Sequence, residues 1–121
     1  MRDILSNNII MEDEDQEEKK NGQAPDPLIE KFLKKFLNDD SFNSLSVSIE
    51  NRDYHEAFKA AHTLKGVSLN LSLSRLSASA SEITEYLRDC DNKIIDETVL
   101  FRLFDSVSKD YRMTVEVIEK L

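Results

Sequence analysis

Ala57, Ala60, Ala61, Leu64, Val67, Ser68 and Leu71 fall on one face of a helix turning about 100° per residue. A stripe of that length has to be buried against other elements, and the segments around it offer matching faces. Leu28, Ile29, Phe32, Leu33, Phe36 and Leu37 form one. Phe42, Leu45 and Ile49 form a shorter one, and Leu76, Ala80, Ile83, Leu87 and Cys90 another. Leu100, Leu103, Phe104, Val107, Tyr111, Thr114, Val115 and Ile118 mark the last. Only 2 Gly and 2 Pro punctuate the 121 residues, which suits helices and not a turn-rich β-protein. Ser44 to Ile49 also alternates as a strand would, but a solitary strand has no pairing partner, so helix is expected there. Short breaks between several helices predict an all-α antiparallel bundle.

The breaks carry their own signals. Asp26-Pro27 is an N-cap followed by proline at the first helical position, and Asn38-Asp39-Asp40-Ser41 ends that helix. The second helix is expected to end near Asn51. Asp53 and Glu56 have capping-box spacing ahead of the third. Ser72-Leu73-Ser74 marks the next boundary, where either serine could cap the fourth helix, whose flanks carry Ser77, Ser79 and Ser81. Asp91-Asn92-Lys93 is expected to be a loop, with the last helix starting near Asp96.

Residues 1–25 differ in kind. Residues 12 to 26 are acidic and lack large apolar side chains, so burial cannot offset the entropy of ordering them. Residues 1–25 hold half of the net charge of −8 and are expected to be a flexible acidic leader, with Ile9-Ile10-Met11 able to form at most a weak turn. Residues 26–121 form the helical domain. The acidic balance argues against nucleic acid, which requires clustered Lys and Arg. No apolar run has the length of a membrane span, and the first ten residues lack a signal peptide's pattern. The single Cys90 excludes an internal disulfide and fits a reducing compartment. A cytoplasmic, monomeric protein with no membrane partner is expected.

The chemistry concentrates at Ala61-His62-Thr63-Leu64-Lys65-Gly66. Glycine inside a helix costs about 1 kcal/mol relative to alanine, so Gly66 needs a reason. Helical side chains lean toward the N-terminus, and a side chain at 66 would cover the turn holding His62. Its removal leaves the imidazole clear. His62 lies opposite the buried stripe, with His55, Phe58, Lys59, Lys65, Gly66 and Leu69 around it. Lys59 and Lys65 stand three residues to either side, where their charge would stabilise a phosphoryl group on the ring. Phe58 and Leu69 are large apolar residues on a face that should be wet. They either rim a docking surface or are covered by the first helix.

Other chemistries find little support. No His, Cys, Asp or Glu stands three or four residues from His62, and no Cys/His cluster has zinc spacing, so no metal site is expected. His55 is about 10 Å away along the axis and reads as a solvated surface residue. No acid is placed to orient His62 as in a triad, and no P-loop or kinase signature occurs.

The run Ala61 to Ser68, followed by Leu71 and then Ser74-Arg75-Leu76, resembles the histidine-containing phosphotransfer (HPt) domain. The family's pattern is His-x-Leu-Lys-Gly-x-Ser/Ala, then a leucine–glycine pair and a new helix. The resemblance covers about residues 27–121, with Ser72 standing where the family has glycine. It implies an antiparallel four-helix bundle with an additional N-terminal helix across one end. It also implies a stoichiometric phosphocarrier, not an enzyme, that takes a phosphoryl group on His62 from one receiver-domain aspartate and passes it to another. By the same resemblance Lys65 stabilises the phosphate, Gly66 gives steric clearance, and Phe58, Lys59 and Leu69 help dock the partner. The partners would be receiver domains of response regulators and hybrid histidine kinases. They would supply Mg²⁺, and the carrier would need no cofactor of its own. A helical adaptor without phosphotransfer, or a module that sequesters receivers, is the alternative.

Overall fold

The computed structural model describes residues 27–121, so the acidic leader, the weak turn at Ile9-Ile10-Met11 and the cap at Asp26 lie outside the described residues. Five α-helices follow in order: α1 (Pro27–Phe36), α2 (Ser41–Glu50), α3 (Tyr54–Asn70), α4 (Ser74–Leu87) and α5 (Glu97–Glu119). A 3₁₀ turn at Cys90–Asn92 separates the last two. Among the described residues there is no strand, and the alternating run in α2 is helical.

Acidic side chains start three of these helices by accepting from backbone N–H groups that have no partner inside the helix. Asp39 accepts from the Ser41 N–H at 2.9 Å. Asp53 accepts from Glu56 at 3.2 Å, and Asp96 from Thr98 and Val99 at 2.9 and 3.4 Å. The expected capping box is only half formed. The Asp53 N–H donates to the Ser48 carbonyl at 2.9 Å, and the Glu56 carboxylate pairs with Lys59 at 3.1 Å.

Two groups of long-range contacts orient the bundle. At one end, Arg52 and Tyr54 at the start of α3 donate to Glu97 at the start of α5, at 2.5 and 3.2 Å. At the other end, Phe42 in the first turn of α2 stacks on Phe104 and Tyr111 of α5, with centroids 5.6 and 4.1 Å apart. The helices α2 to α5 therefore alternate in direction, with α3 packed on α2 and α4, and α4 on α5. Leu45, Ala57, Ala61, Leu64, Leu76, Ala80, Ile83, Leu87, Leu100 and Val107 are sealed between them. Ser77 and Ser79, expected on the flanks of α4, are interior. Wedged between α3 and α5, α4 buries a wider arc, and both hydroxyls donate to carbonyls of their own helix.

Helix α1 departs from its sequence pattern. Only Phe36 of its stripe is buried, with its ring 5.8 Å from Tyr111 of α5. Leu28, Ile29 and Phe32 remain 58, 55 and 46 % exposed. The helix joins the bundle through Leu33, Phe36 and Leu37, which pack against the core.

The connection after α3 also corrects an expectation. Neither Ser72 nor Ser74 caps α4; Leu73 holds the cap position without a side-chain bond. Ser72 instead ends α3 in the left-handed region, with φ of 59°. Its N–H donates to the Leu69 carbonyl at 3.1 Å, and the Leu73 N–H to Ser68 at 2.8 Å, the bonding of a Schellman motif. Arg52 closes α2 the same way with φ of 56°. Glycine adopts this conformation without steric cost. Because the Ser72 side chain is exposed, Ser72→Gly is expected to stabilise the fold by about 1 kcal/mol, read as a higher urea midpoint at unchanged slope. Cys90 likewise leaves its predicted helix: α4 stops at Leu87, and Asp89 turns the chain with φ of 58°.

Candidate functional site

Helix α3 sets the site by what it buries. Ala57, Ala60, Ala61, Leu64 and Ser68 face the core, and the Ser68 hydroxyl donates to the Leu64 carbonyl at 2.7 Å, which satisfies it in the dry interior. With that face fixed inward, His62 is exposed in the middle of the helix, as its angular position predicts. Lys65 and Gly66 follow one turn later and are half-buried.

Gly66 has ordinary helical surroundings. A Cβ placed on it would meet nothing within 4 Å, and its φ is not in the left-handed region. The backbone therefore does not require glycine here. The contrast with Arg52, Ser72 and Asp89 is informative, because those three hold positive φ without being glycine. The chain spends its one described glycine where neither packing nor backbone geometry calls for it.

Around His62 the structure assembles residues from two helices. The Phe58 ring lies 6.1 Å from the imidazole, tilted by 46°. The Arg88 guanidinium sits over Phe58, 5.3 Å from its centroid. Arg88 also donates to both Glu85 oxygens, at 2.7 and 3.1 Å. Those bonds hold the Glu85 carboxyl below the usual carboxylate range, with added pull from the charges of Arg88, Lys65 and His62. The imidazole, two cations and one carboxylate thus share one surface formed by the middle of α3 and the end of α4.

The predicted residues fare differently. Among the described residues Lys65 makes no ion pair, whereas Lys59 is tied to Glu56 one turn back and is only partly available. Phe58 is half-buried, partly beneath Arg88, and Leu69 is 56 % exposed on the same helix. Glu85 and Arg88 are absent from the sequence-based site. They read as an ordinary surface pair three residues apart on α4, and only the packing of α4 on α3 carries them to Phe58 and His62. His62 stands on an exposed surface, and the depressions lined along α1 and between Leu37 and α5 among the described residues do not include it. An exposed ring flanked by charge on a convex helix face suits contact with another macromolecule more than enclosure of a small substrate.

No described helix is long and apolar enough to cross a membrane. No curated protein and no solved structure matches the chain. A family model does: the Hpt domain matches residues 28–110, from the first turn of α1 into α5, and so covers most of the chain, including His62, Lys65 and Gly66. The all-helical bundle of the described residues is consistent with this match, and the chain belongs to the Hpt domain family.

Proposed function

We propose that this protein is a phosphorelay carrier in which His62 takes a phosphoryl group from a receiver-domain aspartate and passes it to an aspartate on a second receiver. The observation that supports this most is the pairing of an exposed His62 with a glycine at 66 that the fold itself does not require. The working domain is residues 26–121, with residues 1–25 as a leader and α1 laid across one end of the α2–α5 bundle.

In the transfer, a lone pair on a neutral ring nitrogen of His62 attacks phosphorus. The N–P bond forms as the bond from phosphorus to the donor carboxylate oxygen breaks, leaving the donor aspartate ionised. The second transfer runs the same exchange toward the acceptor aspartate. Receiver domains would supply Mg²⁺ and clamp the group in line. On this chain, Gly66 leaves room for the incoming loops, and Phe58, Lys59, Leu69 and the exposed side chains of α1 form the docking face. Such a complex is transient and of modest area.

Lys65 stands free to pair with the new phosphoryl charge. Arg88 is close enough to the Phe58–His62 pair to join it by turning from Glu85. Lys65→Ala is expected to slow phosphoryl acceptance about tenfold, the effect of losing one charge-assisted hydrogen bond at an exposed site. Arg88→Ala should do the same, and the double variant should be slower than either. Single-turnover rates identical to the parent's in both variants would reduce these cations to solvated bystanders.

The direct test mixes the protein with a radiolabelled phospho-receiver. Label that appears on the carrier, is acid-labile, and moves on to a second receiver supports the reading. A folded protein that accepts no label from any receiver tested would shift it to an adaptor or a sequestering module.

A further inference from the structure

Spacing along α3 gives His62 no metal-ligating neighbour one turn away, but folding brings together donors that stand far apart in sequence. His55, in the first turn of α3, meets Cys90 and Asp91 of the 3₁₀ turn that links α4 to α5. One ligand atom from each lies within 4.8 Å of the other two. The His55 Nδ1 is 3.9 Å from an Asp91 oxygen, and the Cys90 Sγ is 4.0 Å from the other.

We propose that His55, Cys90 and Asp91 form a Zn²⁺ site, with water as the fourth ligand, that pins the α4–α5 connection to the start of α3. Three observations carry this. The donors are one nitrogen, one sulfur and one oxygen, a set that suits zinc. Hard cations such as Mg²⁺ or Ca²⁺ would find a single carboxylate. Zinc bond lengths of about 2.0 to 2.3 Å place tetrahedral ligand atoms roughly 3.3 to 3.6 Å apart. The present separations, none above 4.8 Å, need to close by up to about 1.5 Å, and the His55 and Asp91 side chains, 60 and 78 % exposed, are free to turn. The charges also balance. A Cys90 thiolate and the Asp91 carboxylate neutralise Zn²⁺, while His55 binds as neutral imidazole.

Binding breaks the Cys90 S–H bond, forms Zn–S and releases the proton to solvent. Affinity should therefore rise with pH. The site lies beside the proposed phosphotransfer face: Arg88 is two residues before Cys90, and His55 is one turn before Phe58. A bound ion would fix the backbone that carries the guanidinium over the Phe58 ring. The metal proposal does not depend on phosphotransfer and is tested without it.

The full chain, stripped with chelator under reducing conditions, is titrated with Zn²⁺ by equilibrium dialysis, and with Co²⁺ followed by absorption. One Zn²⁺ per chain is expected at micromolar concentration, with a thiolate-to-cobalt charge-transfer band in the near ultraviolet. Cys90→Ser, His55→Gln and Asp91→Asn should each lower affinity about tenfold or more, and Cys90→Ser should abolish the cobalt band. His62→Gln should bind like the parent. Circular dichroism is expected to show each variant folded, because none of the three side chains belongs to the buried core. No Zn²⁺ bound at about 100 μM, or undiminished binding in either Cys90→Ser or His55→Gln, would overturn the site.

Discussion

His62→Gln is expected to abolish phosphoryl acceptance and leave the bundle as stable as the parent. Both halves follow from where the residue stands. His62 is exposed, and its ring contact is with Phe58 at 6.1 Å, so no core packing is lost on replacement. Glutamine is at least as good a helix former as histidine, and surface changes of this kind stay within about 0.5 kcal/mol. Chemically the change is complete, since an amide nitrogen has no lone pair free to attack phosphorus. The measurement pairs a thermal melt with label transfer from a phospho-receiver. Acid-labile label on the variant at the parent's level would place the acceptor elsewhere, with His55 the first candidate. A variant that neither folds nor transfers would remove the separation between fold and chemistry on which the reading rests.

Gly66→Leu is expected to move stability and activity in opposite directions. The open space where a Cβ would sit admits a side chain, and leucine's helix propensity should raise stability by about 0.5 to 1 kcal/mol. The same side chain leans back over the turn that holds His62 and blocks the approach of a partner's phospho-aspartate. Misplacing the reacting atoms by about 1 Å costs on the order of 10²-fold in rate, and that is the loss expected in single-turnover transfer. Gly66→Ala should gain similar stability with a smaller loss, so the rate should fall with side-chain size. A leucine variant that transfers at the parent's rate would refute clearance as the role of Gly66. A destabilised one would mean that the space at 66 is not open.

These expectations rest on features that differ in how far the chain order reveals them. The stripe of α3 was legible because its buried positions repeat every three or four residues, a relation set by helix geometry alone. The same periodicity placed His62 outward, and the observed burial of Ala57, Ala61, Leu64 and Ser68 agrees. The cap at Asp53 was legible for a similar reason, since the side chain and the N–H it accepts are three residues apart. Where a local pattern misled, a more distant group had intervened. The capping box stayed half open because Ser48, across the α2–α3 turn, took the Asp53 N–H. The stripe of α1 predicted a buried face, yet Leu28, Ile29 and Phe32 stay exposed, because amphipathicity does not say how far a neighbour extends alongside.

Helix positions, the direction each apolar face takes and the outward aim of His62 were thus determined by the sequence itself, because helical geometry relates residues at most a turn or so apart. The placing of Arg88 and Glu85 beside His62, the meeting of His55 with Cys90 and Asp91, and the left-handed Ser72 were decided only in the tertiary structure. These depend on how far each helix is rotated about its own axis and on how each connection turns. Those angles are set by packing whole faces together, a sum over many weak contacts among residues distant in sequence, which no short run of residues encodes.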